Sequence, residues 1–139
     1  KVYHLESWHN LLSERERDIH CLMQLETSRR NLGLKTIDCY FLHNPEMELD
    51  IVSRQTVLSR IKTLFVSLEK AVTDGLISMY GLATWHAFKV TSGGRNYLQL
   101  EELVNFAKDA AGNAFSLKLG KKSKIPLKFF CYFHICPMI

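Results

Sequence analysis

The sequence predicts an α/β fold built on parallel strands. Three observations carry this expectation. Residues 36–42 and 77–83 are compact runs of strand-forming residues, and a long amphipathic segment lies between them. Strand, helix and strand joined by short connections make a βαβ unit, which crosses right-handed and builds a parallel sheet. The first strand is also apolar at nearly every position (Ile37, Cys39, Tyr40, Phe41, Leu42) rather than alternating. Such continuity suits a strand covered on both faces.

The elements follow in order. Residues 5–32 place Leu5, Trp8, Leu11, Leu12, Ile19, Leu22, Leu25 and Leu32 near a 3.6-residue period, which predicts a helix with a break near 18–21. Gly33 is suited to stop it. The first strand ends at His43-Asn44-Pro45, where proline removes a backbone donor. The next helix is the clearest in the chain. Val57, Leu58, Ile61, Leu64, Phe65, Leu68, Ala71 and Val72 share one face, and Arg54, Arg60, Lys62 and Lys70 the other. Asp50 or Ser53 can cap its start, and Asp74-Gly75 its end. After the second strand, residues 90–99 hold Ser92-Gly93-Gly94 and read as a loop. A further helix is expected over 100–111. Residues 115–139 break this style. A lysine cluster (Lys118, Lys121, Lys122, Lys124, Lys128) gives way to an aromatic, apolar run that could hold two strands. The expected division is 1–114 for the α/β segment and 115–139 for a divergent C-terminal tail.

Composition narrows the function classes. The 139 residues are 47% hydrophobic and 23% charged, a globular balance with enough apolar material for a core. The net charge of +4 comes from lysines and arginines mixed with acids, so no nucleic-acid-binding stripe is expected. No apolar run reaches the roughly 18 residues of a membrane span; the stretch 129–139 is shorter and is interrupted by His134 and Pro137. Cys21, Cys39, Cys131 and Cys136 form no CxxC pair, so reduced thiols and an intracellular, cytoplasmic setting are expected. Lys1 in place of an initiating methionine suggests that more chain precedes it.

Two places could carry chemistry. His43 lies where the first strand meets its loop, at the carboxyl end where α/β sheets bind ligands. An imidazole there can donate a hydrogen bond to a carbonyl or act as acid or base. On its own, a histidine after a strand is more often a packing residue. Gly81-Leu82-Ala83-Thr84-Trp85 ends the second strand on the same rim, with the Thr84 hydroxyl and the Trp85 face available. An ordinary strand-to-loop junction explains these residues slightly better when they are taken alone.

Taken together, the two runs resemble a known family. SRRNLGLKTIDCYFLHNPE (28–46) is similar to the aldo/keto reductase pattern of a helix ending SLxxLG, a strand IDLYLLH, then Asn or Trp and Pro. LEKAVTDGLISMYGL (68–82) resembles the same family's ALExLVxxGKIRxIGVS, at fitting separation. The resemblance spans roughly residues 25–111. It implies a partial (β/α)8 TIM barrel, contributing a central βαβα segment, and transfer of hydride from NADP(H) to a small-molecule carbonyl. In the family a tyrosine protonates the carbonyl oxygen, lysine and aspartate tune it, and a histidine orients the substrate. His43 matches that histidine. Ala83 and Thr84 match a Ser-Asn pair that holds the nicotinamide carboxamide, and Ala83 lacks the hydroxyl. The family's aspartate and tyrosine come from earlier strands and are not in this chain. After Gly112 the family would read FKVIQLPLN, and Phe115-Ser116-Leu117-Lys118-Leu119-Gly120 departs from it.

Other features weigh less. Ser92-Gly93-Gly94-Arg95 matches no phosphate fingerprint. Cys131, His134 and Cys136 offer three zinc ligands without an obvious fourth, so no metal is expected. A closed barrel needs at least about 200 residues, so this chain should leave sheet edges open and self-associate through them. Three functions compete: a segment of a carbonyl reductase inactive alone, a non-catalytic remnant that binds another protein, and a separate ligand-binding α/β domain.

Overall fold

The computed structural model describes residues 13–112 and, as backbone, 129–133. Helix α1, Glu14–Leu32, starts on Ser13, whose Oγ accepts the Glu16 N–H, while Glu16 Oε2 accepts the Ser13 N–H at 2.7 Å. This reciprocal capping box satisfies donors that the first helical turn leaves free. The helix runs without a break through Asp18–Cys21, and it ends on Gly33 at φ 64°. The interruption expected there is therefore absent. The expected apolar face is also narrower. Cys21, Leu25 and Ser28 form its buried stripe, while Ile19 is 49% and Leu22 36% exposed. Residues 5–12 of the expected helix lie outside the described residues.

Strand β1, Ile37–His43, and strand β2, Ile77–Thr84, pair in parallel from Ile37 beside Ile77 to His43 beside Ala83. Helix α2, Arg54–Thr73, crosses between them. Ser53 caps it by accepting the Thr56 N–H at 3.1 Å; Asp50 belongs instead to a 3-10 turn, Pro45–Asp50. Gly75 adopts φ 74°, a left-handed conformation that glycine takes without steric cost. The seven residues Val57, Leu58, Ile61, Leu64, Phe65, Leu68 and Ala71 are buried in the core, as the period predicts, while Val72 is partly buried beside it. Tyr80 reaches this helix from β2: its hydroxyl donates to Glu69 Oε1 at 3.0 Å, and its ring centroid lies 5.3 Å from that of Phe65.

Helix α3, Leu100–Ala111, packs on α2 through Leu103 and Ala107, with Arg54 pairing to Glu102 at 3.0 Å. Leu100, placed on the apolar face by its spacing, is 45% exposed. A third strand, β3, Phe129–Phe133, runs parallel to β2 on the side opposite β1, giving the order β1-β2-β3. Among the described residues the result is an open parallel α/β layer with β1 at one edge. The tail thus contributes one strand to the sheet among the described residues.

Candidate functional site at the carboxyl ends of the strands

Strand geometry decides which side chains can meet. Successive residues of a strand point to opposite faces. Laterally paired residues share a face, so Cys39, Phe41 and His43 line up with Met79, Gly81 and Ala83. Tyr40, Leu42, Tyr80, Leu82 and Thr84 occupy the other face. Contacts of Tyr80 with Glu69 and Phe65 identify that face as the one turned to the helices. His43 and Ala83 therefore stand side by side on the face away from the helices. His43 is half-buried and Ala83 only 1% exposed. Thr84 follows on the alternate side. It is wholly buried, and its hydroxyl has no hydrogen-bond partner among the described residues.

The loops beyond the two strands are tied together. Asn44 sits at φ 48°, a left-handed conformation that asparagine tolerates better than most residues. Its N–H donates to the Ala83 carbonyl at 2.7 Å. The side-chain amide is assigned in the orientation that satisfies both of its ends. Its nitrogen then donates to the Ala83 carbonyl at 3.2 Å, and its oxygen accepts the Trp85 indole N–H at 2.6 Å. Glu46, two residues further, is 0% exposed. Its Oε1 accepts the backbone N–H groups of Trp85 at 2.7 Å and His86 at 3.3 Å. Glu48 is also buried and pairs with Arg60 of α2.

Burial controls the titration of the groups below this rim. It pushes the Cys39 thiol up, and it raises the Tyr40 and Tyr80 phenols from their ordinary range. Among the described residues no group of three His, Cys, Asp or Glu could hold a metal ion. His134 and Cys136 of the weighed zinc triad lie outside the described residues. The Ser92–Arg95 segment is held by an ion pair of Arg95 with Asp50 at 2.9 Å.

Residues 1–105 match the model of the aldo/keto reductase family. The chain belongs to that family. The match covers most of the sequence, including both strands of the rim, and stops within α3. Searches of curated proteins and of solved structures returned no match. Aldo/keto reductases are oxidoreductases, and the motif positions of His43, Ala83 and Thr84 lie within the matched span.

Sequence reasoning placed these three residues on one rim but passed over Asn44 and Glu46. Both were legible as letters in the HNPE run. Their role depends on partners 39 to 41 residues away in sequence, which no local pattern reveals.

Proposed function

We propose that this chain is the central βαβα segment of an NAD(P)H-dependent carbonyl reductase with a (β/α)8 barrel, and that it does not turn over substrate by itself. The lateral pairing of His43 with Ala83 at the carboxyl ends of two parallel strands supports this reading best. Family membership brings carbonyl substrates and a nicotinamide cofactor as the chemistry such a rim serves.

The fit to the nicotinamide is partial. Thr84 brings a hydroxyl without a partner among the described residues, but it is wholly buried on the face turned away from His43 and Ala83. Ala83 brings only a methyl group where the family's serine would stand. When bound, the cofactor supplies the hydride that makes an alcohol of the carbonyl. His43 holds the carbonyl oxygen by a hydrogen bond and fixes its orientation. Proton delivery belongs to the family's tyrosine, on a strand preceding this segment.

The 139-residue chain mixed with NADPH and an aromatic aldehyde is therefore expected to leave the cofactor absorbance unchanged. Steady NADPH oxidation that disappears in His43→Ala would overturn the claim that the chain is inactive alone.

A further inference from the structure

We propose that Glu46 is a positioning residue: its buried carboxylate seats the backbone of Trp85 and His86 and so fixes the loop beyond β2 relative to His43. The functional meaning of this clasp rests on the proposed reading of the rim as the reductase site.

A carboxylate is a costly group to bury unless hydrogen bonds replace its water. Glu46 is 0% exposed, and among the described residues its donors converge on Oε1 alone, Oε2 being buried without one. Its Oε1 receives two successive backbone N–H groups, from Trp85 and His86. Consecutive amides aimed at one oxygen form a seat for that acceptor. The seat lies immediately beyond Thr84, the last residue of β2, where the strand ladder has ended. A side chain from the β1 loop thus satisfies the amides that the sheet leaves over.

Asn44 makes the second half of the clasp. It binds the Ala83 carbonyl through its backbone and its side chain, and it accepts the Trp85 indole N–H. Trp85 is therefore held at its backbone by Glu46 and at its ring by Asn44. A side chain fixed at both ends is preorganised, which is what a binding rim requires. Asn44 and Glu46 follow His43 by one and three residues. The clasp therefore ties the loop beyond β2 to the chain that directly follows His43. An apolar residue at position 46 could fill the same volume without the desolvation cost, but it could not receive the two amides.

The test uses the full chain with Trp8→Phe, so that Trp85 is the fluorophore. Amide hydrogen exchange is measured residue by residue in Glu46→Ala and Glu46→Gln. In Glu46→Ala, exchange at Trp85 and His86 should rise about tenfold or more, because the acceptor that closes both amides is removed. Amides of Leu64, Phe65 and Leu68 in α2 should stay within about twofold of the parent, since local openings are separable from global unfolding. Trp85 emission should shift to longer wavelength. Glu46→Gln keeps an acceptor oxygen and should restore most of the protection. Unchanged exchange at Trp85 and His86 in Glu46→Ala would overturn the proposal. So would a parallel rise throughout α2, or protection in Glu46→Gln no better than in Glu46→Ala. None of these readouts needs turnover, so failure of the reductase reading leaves them intact.

Discussion

His43 and Ala83 are adjacent because the register of two parallel strands makes them so, and that register follows from where each strand starts. Ile37 N–H donates to the Leu76 carbonyl at 3.0 Å, and the Thr36 hydroxyl to the Gly75 carbonyl at 2.7 Å. These bonds set the strands level at one end, and six steps later His43 meets Ala83. The sequence shows both residues at strand ends, but only pairing shows that Thr84 turns to the opposite face. Burial also governs titration at this scale. The Cys21 thiol is pushed up from 9.0 to about 12, chiefly by burial and then by the charge of Asp18. The folded state therefore keeps the proton that the unfolded state gives up. The stability from the neutral thiol is full below about pH 9 and is lost as the pH rises towards 12. Tyr40 and Tyr80 act in the same direction. The urea midpoint should be flat between about pH 7 and 9, fall above it, and fall less steeply in Cys21→Val. A midpoint constant up to pH 11 would contradict the assignment.

Helix ends were readable where a single residue type enforces them. Gly33 and Gly75 both take the left-handed conformation expected at a helix exit, and Ser53 caps α2. The start of α1 at Ser13 is hidden from the apolar period, which runs straight through it. The decisive signal was Ser13 followed three residues later by Glu16, the capping-box spacing. The α1 face was misjudged for a related reason. Periodicity lists every apolar residue, whereas burial depends on which partner helix is present; α2 is fully apolar towards the sheet, and its face was read correctly. The Ser53 cap gives a direct check. Ser53→Ala should lower the stability to unfolding by about 1 kcal/mol, the usual cost of an N-cap. A change below about 0.3 kcal/mol would mean that the α2 terminus is satisfied by other groups.

The molecule as a whole is a sheet layer with helices on one described side. An edge strand presents unpaired backbone groups that invite another strand, and among the described residues β1 is such an edge. Ile19, Met23 and Val66 add exposed apolar surface on α1 and α2, with Met23 62% exposed. Light scattering over about 1–100 µM should therefore show mass rising with concentration. A constant monomer mass over that range would show that these edges and faces are silent. The α/β class, the βαβ order and the parallel sheet were legible because hydrophobic continuity and turn residues are local signals. The strand at Phe129–Phe133 was not placed, because its partner β2 lies more than forty residues earlier.

On the proposed reading, the rim of β1 and β2 is the substrate side of a carbonyl reductase. Transplanting residues 25–105 into an active aldo/keto reductase, in place of the segment they match, supplies the remaining strands. Aldehyde reduction by this chimera, with folding checked by circular dichroism, should fall by about a hundredfold or more in His43→Ala, the range of a lost acid–base or orienting group. Reduction within twofold of the unsubstituted chimera would contradict the account.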